Sequence, residues 1–359
     1  MDPELVQPMT QEVLPPTSLL PDGASAYQMD ISTPENPIDH PLTEQDIQQL
    51  SSRRDLLSLS GHLILPPGRS SFILPANAPR NPFWMLQELN LKATSDAIAA
   101  FATMVVGLSC LKRLSLQVLC GDPSMPAIPP VSLIATIARM CDDVVLRSLC
   151  VRAHGDDAGP EALALVEDTR IHAPDVHVYY RDFLPLIRIL AIREFRFDLP
   201  WTFHLDDDLL SYMAEQWSHL EHFHLATAPY AKVHPGTTLA AFPDFGVHCP
   251  RLETLGFPFD GTTFGGRDDS PPVVNLGEEY YSQADQCTAL HVVNSPIKMD
   301  PDDQFEVALF LSYVFPRLSE ITGSFSDAGA GYARAWDMVE DRVRALSAIR
   351  ENERERNAP

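Results

Sequence analysis

The stretch Leu111-Lys112-Arg113-Leu114-Ser115-Leu116 has apolar residues at its first, fourth and sixth places and polar ones between. The same six-residue phrase stands upstream as Leu86-Gln87-Glu88-Leu89-Asn90-Leu91. Downstream it returns as Leu146-Arg147-Ser148-Leu149-Cys150-Val151, Ile187-Arg188-Ile189-Leu190-Ala191-Ile192, Leu220-Glu221-His222-Phe223-His224-Leu225 and Leu252-Glu253-Thr254-Leu255-Gly256-Phe257. Weaker copies occupy residues 287–292 and 318–323. A unit this short cannot bury its own apolar face, so the copies must stack on one another.

The copies start at 86, 111, 146, 187, 220, 252, 287 and 318, which are 25, 35, 41, 33, 32, 35 and 31 residues apart. Ankyrin and tetratricopeptide arrays have similar periods, but both are chiefly helical and neither places a short strand phrase at each period. Leu-x-x-Leu-x-Leu is the strand segment of a leucine-rich repeat, here with long and uneven connections. The predicted fold class is α/β: an irregular leucine-rich-repeat solenoid of about eight parallel strands in one curved sheet, with helices on its outer face.

Helix-compatible spacing fills the gaps, at residues 96–108, 132–140, 160–172, 206–217, 238–247 and 302–314. Asp206, Asp207 and Asp208 put three carboxylates at a helix start, where they complement its dipole. Over 332–350, Trp336, Val339, Val343 and Leu346 share one helix face, suited to covering the open end of a solenoid. Residues 1–50 hold nine acidic residues, eight prolines and no Lys or Arg, a composition that cannot offset its ordering entropy by burial. The predicted organisation is therefore a disordered acidic tail over 1–50, an N-terminal capping segment over 51–82, whose short helix could begin as early as Asp46, and the repeats over 83–325. A C-terminal capping helix with a frayed tail completes it over 326–359.

The formal net charge of −23 argues against nucleic-acid and acidic-membrane binding, since both need clustered Lys and Arg. No apolar run approaches the roughly 18 residues of a membrane span, and the acidic N-terminus is unlike a signal peptide. Cys110, Cys120, Cys141, Cys150, Cys249 and Cys287 include no C-x-x-C pair and read as reduced structural thiols. A cytoplasmic or nuclear protein without cofactor is expected.

In each phrase the two residues flanking the middle apolar place face away from the core. They nominate a protein-binding surface of Glu88, Asn90, Arg113, Ser115, Ser148, Cys150, Ile189, Ala191, His222, His224, Thr254, Gly256, Ala289, His291, Glu320 and Thr322. Arg113 is the only member of the hot-spot types Trp, Tyr and Arg among them. Loops at 229–235 and 261–272 are further contact candidates.

Little points to catalysis. His219, His222, His224 and His234 are the densest histidine group, and the strand spacing of His222 and His224 could present two imidazoles to zinc. Solvated histidines on a sheet surface explain them better, because no third ligand has a fixed position. The run 261–266 is glycine-rich but lacks the G-K-[ST] ending of a phosphate loop. No G-x-S-x-G, H-E-x-x-H or kinase signature appears. The enzyme or metal-protein reading therefore rests on the His219–His234 group alone. Thr33-Pro34 and Ser295-Pro296 are dipeptides of the proline-directed phosphorylation type.

The succession Phe197-Asp198-Leu199-Pro200-Trp201-Thr202-Phe203-His204-Leu205-Asp206-Asp207-Asp208-Leu209-Leu210, Met213-Ala214-Glu215-Gln216-Trp217, His219 to Leu225 and His248 to Leu255 resembles the leucine-rich half of basidiomycete-fungal F-box-like proteins. The resemblance covers roughly residues 83–325. It implies a substrate-recognition subunit of a ubiquitin ligase, with the repeats selecting the target and an F-box docking onto the Skp1 adaptor. No F-box pattern precedes residue 83. The expectation is thus a non-catalytic protein-interaction scaffold, with the ligase adaptor as the alternative.

Overall fold

A computed structural model describes residues 41–53, 55–65, 71–72, 82–105, 108–119, 130–141, 145–153, 176–228, 232–264, 284–325 and 330–357. Among the described residues, ten strands form one sheet: β1 (Pro41–Leu42), β2 (Ser58–Leu63), β3 (Glu88–Ala93), β4 (Arg113–Val118), β5 (Ser148–Ala153), β7 (Glu194–Asp198), β9 (His222–Leu225), β11 (Thr254–Gly256), β12 (Ala289–Val293) and β13 (Glu320–Ser324). They pair in that order and every pairing is parallel. The architecture is that of a leucine-rich-repeat solenoid. A second parallel sheet takes the order β10–β8–β6, from β6 (His177–Val178), β8 (Thr202–Asp206) and β10 (Lys232–Gly236).

One backbone device repeats from coil to coil. The carbonyl of the residue just before each strand accepts two N–H groups from the next coil. Gln87 O takes Lys112 N–H and Arg113 N–H at 2.8 and 3.0 Å. Lys112, Arg147, Arg193, Glu221, Glu253 and Thr288 do the same for the coils that follow. This fixes the register, so the residues flanking each middle apolar position fall in straight rows across the sheet. A one-residue slip would turn a whole strand inside out.

The same device corrects two expectations. It places Arg193 in the second position of its phrase, so the fourth strand phrase is Ile192-Arg193-Glu194-Phe195-Arg196-Phe197 rather than residues 187–192. Ile187 instead ends helix α4 (Tyr180–Ile187). The apolar spacing of 187–192 is that of a helix end and a tight turn as much as of a strand. Leu57 O also takes Gln87 N–H and Glu88 N–H, which makes 56–61 a repeat phrase whose last apolar place is Gly61. Among the described residues the sheet therefore starts at Pro41, ahead of the predicted start of the repeats at 83. Residues 41–50, expected in a disordered tail, form β1 and most of helix α1 (Glu44–Ser51). Thr43 and Asp46 cap α1 reciprocally, and Ile47 and Leu50 bury its apolar face. Residues 1–40 and the helix expected over 160–172 lie outside the described residues.

On the opposite side of the sheet run α2 (Ser95–Met104), α3 (Pro130–Met140), α4, α5 (Asp207–Gln216), α6 (Phe242–His248) and α7 (Pro301–Val314). Short polar side chains start several of them: Thr94 accepts from Ala97 N–H, Asp206 from Leu209 N–H at 2.8 Å and Asp300 from Asp302 N–H at 2.8 Å. The core is leucine-rich through β5 and turns aromatic from β7 onward. Phe195 stacks on Phe223 at 5.5 Å and touches Trp217 at 4.8 Å, while Phe257, Phe242 and Phe259 continue the chain of rings. Helix α8 (Ala330–Asn357) covers the far end of this core. Its Trp336 packs edge-on against Phe259 at 5.5 Å and donates to Ser295 O at 2.9 Å. The helix expected at 332–350 is thus part of a longer one.

Candidate protein-binding surface

The sheet face away from the helices carries three rows of side chains. The first row runs Ser58, Glu88, Arg113, Ser148, Glu194, His222, Thr254, Ala289 and Glu320. The second runs Ser60, Asn90, Ser115, Cys150, Arg196, His224, Gly256, His291 and Thr322. A third row, His62, Lys92, Gln117, Arg152 and Asp198, spans β2 to β7. All the nominated surface residues stand in the first two rows except Ile189 and Ala191. Those two lie in the connection between α4 and β7, where Ile189 is buried. Glu194 and Arg196 take their places, so the face gains Arg196 and Arg152 beside Arg113.

Sequence reasoning missed Glu194 and Arg196 because phenylalanine replaces leucine at both later places of their phrase. The same replacement at Phe223 was a usable signal. The loop expected over 229–235 is partly strand β10, and most of 261–272 lies outside the described residues.

The face is densely cross-linked. Glu88 and Arg113, register partners, form an ion pair. Arg193 and Glu221 pair at 3.1 Å. Asp198, at the end of β7, is fully buried and accepts from four donors: Thr227 N–H at 2.6 Å, Thr227 Oγ1–H at 3.0 Å, Ala228 N–H at 3.3 Å and Arg196 Nε–H at 2.7 Å. Ala226, with φ 55°, turns the chain out of β9 so that the next two N–H groups point at this carboxylate. Such a left-handed alanine costs about 1–2 kcal/mol, which the buried hydrogen bonds offset. Nothing in the local sequence announces this partnership across 29 residues.

The predicted histidine group is divided. His219 is an exposed turn residue, and His234 lies on β10 of the second sheet. His222 and His224 share Thr254: His222 Nδ1 is 3.0 Å and His224 Nε2 3.1 Å from its hydroxyl oxygen. The hydroxyl has one proton, so it donates to one ring and accepts N–H from the other. His291 in the neighbouring coil meets Thr322 Oγ1 at 2.9 Å. Burial pushes His224 down to about 4 and lowers His291 as well, so both rings are neutral at neutral pH. Thr254 thus faces two imidazoles, but Glu253 stands 3.8 Å from His222 Nε2, beyond hydrogen-bond reach.

Burial raises the Cys150 thiol and takes Cys249 and Cys287 up to about 12, as inert structural thiols require. Among the described residues, no three or more His, Cys, Asp or Glu are placed together to hold a metal ion. None of the described helices is long and apolar enough to cross a membrane. Ser295 is fully buried and its Oγ accepts from Phe259 N–H at 3.1 Å, which closes it to a kinase in the folded protein. Thr33 lies outside the described residues.

No family model and no curated protein matches the chain. Among solved structures, it is similar to the leucine-rich repeat-containing protein LegL7 from Legionella pneumophila. That alignment has 10% identity and a TM-score of 0.27, and covers 84% of this chain and 94% of the other.

Proposed function

We propose that this protein is a non-catalytic interaction scaffold that binds a protein partner on the open face of its ten-stranded sheet. One observation carries the reading. The rows of side chains on β2 to β13 lie opposite the helices, and their register is fixed coil by coil. That gives a broad, rigid and chemically varied platform, which limits the ordering cost of association. Its polar groups hold one another in place, as Glu88–Arg113 and His222–Thr254–His224 do. The test is proximity labelling in the native cell with the wild-type chain and an Arg113→Glu/Gln117→Glu variant. Arg113 is 64% exposed and Gln117 is half-buried further along the open face of β4, so the fold should survive. Loss of specific labelled proteins is expected. An unchanged set would overturn the assignment of this face.

The resemblance of residues 197–225 and 248–255 to fungal F-box-like proteins supports a second reading, a substrate-recognition subunit of a ubiquitin ligase in the cytoplasm or nucleus. Co-purification of Skp1 and a cullin with the tagged chain would support it. Their repeated absence would remove it and leave the scaffold reading intact.

A further inference from the structure

The second sheet carries a pair of imidazoles that the open face does not use. His177 opens β6, His204 lies in β8, and the two strands pair in parallel. His177 Nδ1 and His204 Nε2 face each other at 2.8 Å. The Tyr179 ring stacks on His204 at 4.5 Å and 7°, which holds the plane of that imidazole. His177 is exposed and His204 half-buried, so solvent reaches the pair. In the ladder between β8 and β10, the register partner of His204 is His234.

Two ring nitrogens this close are joined either by one shared hydrogen or by one shared cation. The distance bears on which cation. Two nitrogens about 2.0 Å from a metal and at a right angle to each other are about 2.8 Å apart, the cis geometry of square-planar or tetragonal ions. A tetrahedral zinc centre with Zn–N near 2.05 Å needs about 3.3 Å. The observed separation matches the first case; the two lone pairs, which face each other in the hydrogen-bonded pair, would each turn by about 45° toward the metal.

We propose that His177 and His204 form a two-imidazole chelate for a divalent transition-metal ion of the nickel(II) or copper(II) class. Both rings bind as neutral imidazoles. The ring whose facing nitrogen carries hydrogen in the metal-free protein gives that proton to solvent and takes one up at its other nitrogen. Both lone pairs then turn from each other toward the metal, with no net proton change. Two protein ligands leave the remaining coordination positions to water, so the site is open and exchangeable. The bound ion ties β6 to β8 and fastens the small sheet.

The experiment uses the full-length chain and nickel(II) chloride as probe, with binding measured by isothermal titration calorimetry. One equivalent should bind more tightly than any other. His177→Ala and His204→Ala should each weaken that equivalent by at least tenfold. His219→Ala, which removes an exposed turn histidine, should leave it unchanged. Circular dichroism of the metal-free variants confirms the fold, and His177→Gln serves if the alanine variant is unstable. Nickel should also raise the unfolding midpoint of the wild type and not of His177→Ala. Equal affinity in wild type and both pair variants would overturn the proposal. So would a wild type with no equivalent tighter than its dispersed surface histidines, which leaves the pair as a hydrogen bond only.

Discussion

Replacing Asp198 by alanine tests a fully buried carboxylate on which several donors converge. The substitution removes one acceptor from four donors. Thr227 N–H and Ala228 N–H belong to residues 5% and 3% exposed, so water does not replace the lost partner. Each stranded N–H costs about 1–2 kcal/mol, and the Thr227 hydroxyl about 1 more. Arg196 is 42% exposed and recovers solvent, so its share is below about 1 kcal/mol. The expected loss is about 3–5 kcal/mol, in the range for breaking a buried charge pair. At about 2 °C per kcal/mol for a chain of this size, the melting midpoint should fall by roughly 6–10 °C. Asp198→Asn keeps one acceptor oxygen and should lose about half as much. Differential scanning calorimetry and urea melts followed by tryptophan fluorescence measure both variants. A midpoint for Asp198→Ala within about 2 °C of wild type would refute the argument that this carboxylate anchors the turn after β9.

Three further outcomes follow from the core and its titrating groups. Leu255→Asp places an unpaired carboxylate in a fully buried site between coils and should cost at least about 4 kcal/mol; an unchanged urea midpoint would count against the inward assignment. His224 binds its proton at about 4 when folded and near 6.5 when unfolded, so the unfolded chain holds more protons between those values. Its contribution is fully present above about 6.5 and is lost as pH falls toward 4, by about 3 kcal/mol in total, and His224→Gln should flatten that part of the stability–pH curve. Under native iodoacetamide labelling read by mass spectrometry, Cys110 should react before Cys249 and Cys287, which are buried and modified only after unfolding.

Much of the fold was legible because the leucine phrase is local. Its apolar places alternate at strand spacing, so Leu89 and Leu91, or Leu114 and Leu116, identify their own strands and their own inward faces. Legibility ended where one pattern served two structures. Residues 187–192 satisfy the phrase but form a helix end and a turn, and the true strand carries Phe195 and Phe197 in leucine's place. The first coil was hidden because Gly61 removes its last apolar residue and proline-rich sequence adjoins β1. The second sheet had no phrase at all, since β6 has only two residues and β10 reads Lys232-Val233-His234-Pro235-Gly236, with one apolar place before its proline.

The sequence by itself determined the strand-and-helix repeat, the parallel pairing and most residues of the open face. The strands and their faces follow from side-chain periodicity within a few residues, and the parallel pairing from the return of the phrase after each helical connection. Tertiary structure decided the register at β7, the burial of Asp198 under Thr227 and Ala228, and the division of the histidines between the open face and the second sheet. Those depend on contacts between residues some 30 positions apart, brought together by coils of unequal length, and no local pattern encodes that distance.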